Sequence, residues 1–265
     1  MLVEALATIA ASDPEDLETG ELRAMLGAGE DILECYRVLR KAGLNIVGEV
    51  LRGQGDFVEL NHYPEDDVFD RETHSQYYYH AHRGMAGEHG HFHTFVRPPG
   101  MPAGMLPITY TGSEPWPLGS DALSHLIGIS MDGYGYPIGL FTTNRWVTDE
   151  AWYSAADATR LLERFRVDHA APSWPVNRWI SAMFILFHPQ MAALLKQRDA
   201  AVADWVTRHP GTDVFEDREL DIMSQASISV EDRIAQVRAM LERGAIAGAR
   251  KKGSFRTLGW ASDGQ

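Results

Sequence analysis

From Gly20 to about Arg52, apolar residues recur at steps of three and four: Leu22, Met25, Leu26, Ile32, Leu33, Tyr36, Leu39, Ile46, Val47 and Val50. That period predicts an amphipathic helix, interrupted near Gly43, with one stripe turned toward a core. A shorter helix is expected over residues 2–10. Beyond Gly53-Gln54-Gly55 the pattern changes. The middle of the chain is rich in Gly, Pro and aromatics, and strand-like runs are expected at 76–83, 91–96, 108–111, 123–131 and 138–143. Asp132-Gly-Tyr-Gly-Tyr136 reads as the turn between the last two. After Trp146 the helical period returns, predicting helices over 148–166, from Pro175 to Phe187, on past a break at His188-Pro189 to about Arg208, and from a Ser229 cap through Leu241. Helix, then sheet, then helix predicts one α+β domain over 1–245. Its N-terminal and C-terminal helices would pack on a small, mainly antiparallel sheet, and residues 246–265 would form a flexible basic tail.

Composition narrows the function classes. The chain has 265 residues, 45 % of them hydrophobic, including ten Phe and seven Trp, enough to bury a core without disulfides. The single cysteine, Cys35, excludes an intramolecular disulfide and a thiolate zinc cage, and its helical position reads as a buried hydrophobe. A formal charge of −13 repels nucleic acid and anionic lipid. The beginning of the chain carries Glu4 and no basic segment, unlike a secretory signal, and no apolar run approaches the ~18 residues that span a bilayer. A soluble cytoplasmic protein is expected, without nucleic-acid or membrane partners.

The chemistry concentrates in one place. Five of the eleven histidines, His80, His82, His89, His91 and His93, fall within fourteen residues around a Gly-rich turn. Strand side chains alternate between faces. His80 and His82 therefore share a face with Tyr78, and His89, His91, His93 and Phe95 share one on the second strand. Closing a hairpin over residues 83–90 with His82 opposite His91 sets His80 against His93 and Tyr78 against Phe95. The reverse face, with Tyr77, Tyr79, Phe92 and Val96, is suited to packing. Four imidazoles on one face can converge on an ion, leaving His89 as the odd one out.

Three readings follow. The first is a site for a divalent transition metal (Zn, Fe or Mn) held by His80, His82, His91 and His93. Glu88 and His91 would be catalytic, with Glu88 a further ligand or general base, and His125 a candidate to complete the sphere. Asp66, Asp67, Asp70 and Glu72 would orient the rings. The HxH-acid-His order resembles the metal-binding arrangement of cupins, with a different glutamate spacing and no second motif. The second reading is metal-free: His89-Gly-His91-Phe-His93 resembles the HxHxH signature of histidine-triad nucleotide hydrolases and transferases, which implies His91 as nucleophile. The third is structural, with the rings bonded to each other, to nearby acids or to Tyr77–Tyr79. Four histidines on one face favour the first reading, a metal-binding protein; if it is an enzyme, the expected class is a metal-dependent hydrolase or oxygenase acting on a small polar molecule. Arg83, Asn144 and Arg145 are the expected substrate-binding residues. Residues 77–83 and 87–95, with the segment after His125, also resemble bacterial proteins described only as a domain of unknown function, which implies no activity. Trp174, Trp179, Phe184 and Phe187 read as a core stripe, and His169, His188 and His209 as structural.

Overall fold

The computed structural model describes residues 17–254, with side chains through residue 244. The helix expected over 2–10 lies outside this range, as does the end of the tail. Helix α1 (Thr19–Lys41) opens on a capping box between Glu18 and Glu21 and buries Leu22, Met25, Ile32, Cys35, Tyr36 and Leu39 on one stripe. It stops before Gly43, as the sequence predicts. A short α2 (Ile46–Val50) then starts on Asn45, whose side chain accepts from the Gly48 amide at 2.7 Å.

Among the described residues, six antiparallel strands follow one another across a single sheet: β1 (Tyr63–Phe69), β2 (Ser75–His80), β3 (Gly90–Val96), β4 (Ser124–Met131), β5 (Pro137–Thr143) and, much later in the chain, β6 (Ile222–Ser227). Neither β1 nor β6 is among the expected strands, and residues 108–111 do not form one. Between β5 and β6 lie α3 (Arg145–Thr148), α4 (Ala155–Leu162), α5 (Trp174–Leu186) and α6 (His188–Arg208). The single helix expected over 148–166 is therefore two. Asp149 adopts a left-handed φ of 51° that ends α3, and Ser154 caps α4 by accepting from the Asp157 amide. Helix α7 (Val230–Ser254) runs past the expected end at Leu241 and carries Arg250, Lys251 and Lys252 in its last turns.

The two faces of the sheet differ. On one, Tyr77, Tyr79, Phe92, Ile129, Met131 and Leu140 join a core with Ile32, Trp179, Ile180, Met183, Leu194 and Val237 of the helices. Tyr77 also donates its hydroxyl to Asn177 of α5 at 2.6 Å, so its one polar atom is satisfied inside the core. Trp174 is half exposed and lies outside the stripe the sequence suggests, under the Arg178 guanidinium. The opposite face buries Tyr78, His80, His91, His93, Phe95, His125 and Phe141.

Gly128 of β4 lets that second face close. It pairs with His93 on one side and Phe141 on the other, and a Cβ there would sit 2.2 Å from the Phe141 ring. The ring lies over the glycine and meets the edges of His91 and His93 at centroid distances of 5.2 and 5.7 Å. Gly128→Ala must displace it, and overpacking of this kind costs about 1–3 kcal/mol. Urea unfolding is expected to show that loss; unchanged stability would mean that Phe141 is not held against the glycine.

Candidate metal centre

The site is built by alternation. Gln76, Tyr78 and His80 of β2 project from the same face as His91, His93 and Phe95 of β3. The faces of β2 and β3 are those the sequence predicts, except that His89, before β3, turns to Tyr79 of the packing face, and the register differs. His80 pairs with His91, Tyr78 with His93 and Gln76 with Phe95, a two-residue shift from the expected pairing. Strand β2 ends at His80 because the next backbone groups bond elsewhere. The Ala81 carbonyl accepts from the Leu60 amide at 3.0 Å, and the His89 amide donates to Met131 at 2.8 Å. An even shift preserves the faces, so the histidines still converge.

His80, His91 and His93 form a nearly equilateral triangle, with ring centroids 4.6, 5.0 and 4.9 Å apart. They are 7 %, 0 % and 0 % exposed. His82, past the strand end and exposed, stands 4.8 Å from His80 and 5.1 Å from His91. One nitrogen from each of the four lies within 4.8 Å of the others. Both ring nitrogens of His80, Nε2 of His91 and Nε2 of His93 are buried without a hydrogen-bond partner.

Behind the triangle, the remaining nitrogens are engaged. His91 Nδ1 is 2.8 Å from Glu88 Oε1, so an Nδ1–H donated to the carboxylate leaves Nε2 bare. His93 Nδ1 is 2.9 Å from Nε2 of His125, which comes from β4. Burial opposes ionisation of Glu88, yet the His91 bond and the Arg83 guanidinium 3.5 Å away hold its carboxyl below the usual range. Burial, reinforced by neighbouring imidazoles, depresses His80 to about 2 and His93 well below its ordinary value. Burial, with Arg198 and His91, takes His125 to about 3. These rings are neutral at physiological pH, the state in which imidazole ligates a metal.

The structure distributes the other expected residues as follows. Glu88 and His125 touch the sides of His91 and His93 that face away from the bare nitrogens, so both orient rings. Arg83 lies 4.1 Å over Phe141 at the rim. Asn144 caps α3 and donates to the Val214 carbonyl, and Arg145 pairs with Glu216 and Asp149. None of their bonds reaches the histidines, so neither joins the site as expected. His89 leaves the cluster, its Nδ1 2.8 Å from the Tyr79 hydroxyl. The three-histidine alignment of the triad resemblance is therefore absent. Asp70 is buried and accepts from the Glu72, Thr73 and Asp168 amides; Asp66 and Glu72 are exposed. Of the four upstream acids only Asp67 orients a ring, and that ring is His62, 2.9 Å away, which the sequence did not flag.

His62 stacks on Tyr78 at 3.6 Å and meets His80 edge-on at 5.7 Å. Asp67, at a left-handed φ of 56° in the irregular part of β1, also accepts from Gln76, which in turn accepts from Arg97. This bonded chain fixes the ring beside the centre. It borders a cavity of about 450 Å³ lined by Gln54, Asp56, Asn61, His62, Tyr63 and Glu65. No periodic signal marks His62, which lies in a loop. Phe141 was legible only as a strand residue.

Residues 26–228 match the model of a family described as a domain of unknown function (DUF6969). The chain belongs to this family. No match was found among curated proteins or solved structures. The DUF6969 match spans all six strands, and so includes the histidine face together with its backing. Among the described residues, no helix is long and apolar enough to cross a membrane.

The depressed imidazoles set a pH dependence for the metal-free protein. Above about 6.5 the rings are neutral in both folded and unfolded chains. Below it the unfolded chain takes up protons that the fold refuses. Stability should therefore fall as pH drops from about 6.5 toward the folded values, by up to ~1.4 kcal/mol per pH unit for each such ring. Circular dichroism of metal-free protein should show steep acid unfolding, with a lower-pH midpoint in His80→Phe. Native signal persisting unchanged to about pH 4 would contradict neutral buried rings.

Proposed function

We propose that this is a metal-binding protein in which His80, His82, His91 and His93 hold a divalent transition ion. One observation carries the reading: the buried rings of His80, His91 and His93 each keep at least one nitrogen without a partner, and one nitrogen from each of them and from His82 lies within 4.8 Å of the others. A purely structural cluster would satisfy those atoms by pairing the rings, since each unsatisfied buried group costs about 1–3 kcal/mol. An all-imidazole donor set suits zinc or iron better than manganese, which favours oxygen donors. His80, His91 and His93 would bind through neutral rings, Glu88 would fix the tautomer of His91, His125 would orient His93, and the bound ion would supply Lewis acidity.

The reaction we infer is hydrolysis or oxidation of a small polar molecule in the cytoplasm. The polar cavity beside His62 supports a substrate of that kind, and its lining includes Asp56 and Glu65 but no Lys or Arg. That composition suits neutral or cationic groups and disfavours the phosphates of a nucleotide.

Untagged protein purified without added metal is expected to carry about one equivalent of a transition metal by elemental analysis, and to gain thermal stability on loading, as any ligand of the folded state requires. Less than about a tenth of an equivalent, with no thermal shift on adding zinc or iron, overturns the reading. Glu88→Gln keeps the shape of the side chain but removes its charge behind His91. It should weaken metal affinity roughly 10–100-fold in competition with a chelating dye. Unchanged affinity would remove Glu88 from the site.

A further inference from the structure

The four histidines are not equivalent. His80, His91 and His93 sit on paired strands, buried, and two of them are fixed through their second nitrogen by Glu88 and His125. His82 has none of these restraints. It lies beyond the end of β2 and is exposed, and its ring makes no hydrogen bond among the described residues. Downstream of it, Gly84 and Gly87 take left-handed φ values of 58° and 85°, and both are exposed.

Distances point the same way. Four nitrogens in a tetrahedron around an ion, at bonds near 2.0–2.1 Å, stand about 3.4 Å apart. The set spans up to 4.8 Å, so at least one ring must travel on binding. The buried three are locked in sheet and packing, and His82 alone has room to move. The charged groups acting on it, Asp221, Arg83, Glu88 and Glu59, include both signs.

We propose that His82 is a displaceable fourth ligand. His80, His91 and His93 are the permanent ligands, and departure of His82 opens a coordination position to a small neutral molecule with a nitrogen or oxygen donor. This rests on the metal reading above. It makes the solvent-facing end of the β2–β3 hairpin the place where substrate meets the ion. No proton or electron is moved in the exchange: one metal–nitrogen bond breaks and one bond to the incoming donor forms.

The test uses the full chain loaded with Co(II), whose visible absorption reports coordination, and compares wild type, His82→Ala and His93→Ala. His82→Ala is expected to hold one Co(II) per chain less tightly, with a shifted visible spectrum that returns to the wild-type form on titration with imidazole. His93→Ala should lose the metal, with far-ultraviolet circular dichroism checking that it folds. An unshifted His82→Ala spectrum overturns the proposal, because His82 is then no ligand. Loss of Co(II) from His82→Ala overturns it too, since His82 would be as essential as the buried three. So does a shifted spectrum that imidazole leaves unchanged, since the position would then be closed to an incoming donor. Wild type that takes up no Co(II) is a different result: it removes the metal reading itself, and this inference with it.

Discussion

The constraint on which the rest of the structure depends is the cost of leaving imidazole nitrogens unpaired inside a protein. Each such group costs on the order of 1–3 kcal/mol, and here four lie on three buried, neighbouring rings. Their sum is comparable to the roughly 5–15 kcal/mol of net stability typical of a domain. Sheet pairing places the rings, Glu88 sets the tautomer of His91, and His125 holds the His93 ring through its Nδ1. Phe141, pressed onto Gly128, leaves the triangle little freedom to relax. The surroundings hold the bare nitrogens in place instead of satisfying them.

That arrangement is possible because the sheet separates stability from chemistry by face. Burial of Tyr77, Tyr79, Phe92 and Ile129 against α1, α5 and α6 supplies the hydrophobic driving force. Tyr77 and Trp179 place their polar atoms on partners in the same layer. The opposite face is then free to carry buried polar side chains, covered at its rim by His62 on Tyr78 and Arg83 on Phe141.

What the sequence revealed follows the same division. Alternation in Gln76–His80 and His91–Val96 identified both the packing face and the histidine face, because a period of two survives any even shift of register. The register depended on Leu60 capturing the Ala81 carbonyl, a contact from a loop without periodic pattern. Strand β1 was hidden because an edge strand reading Tyr-Pro-Glu-Asp-Asp is polar, carries proline and contains an irregularity. Strand β6, Ile-Met-Ser-Gln-Ala-Ser, is short and far from the other strands in sequence. Asn144 and Arg145 looked available for substrate because their partners, Val214 and Glu216, lie about seventy residues on. Glu88 and His125 were flagged for the right neighbourhood but a different role. A residue type does not say which side of a ring it will touch.

All four proposed ligands, and Glu88 with them, lie between residues 80 and 93, within one hairpin and its connection. Their mutual approach requires closing only a short loop, which carries a small entropic cost compared with joining distant segments. During synthesis this stretch is complete before β4, β5 and β6 exist. The later strands contribute His125 and Phe141, which back the rings, but no donor. The histidine cluster is thus a local piece of chain around which the remaining sheet is added, and the proposed donor set is complete in sequence before the later strands.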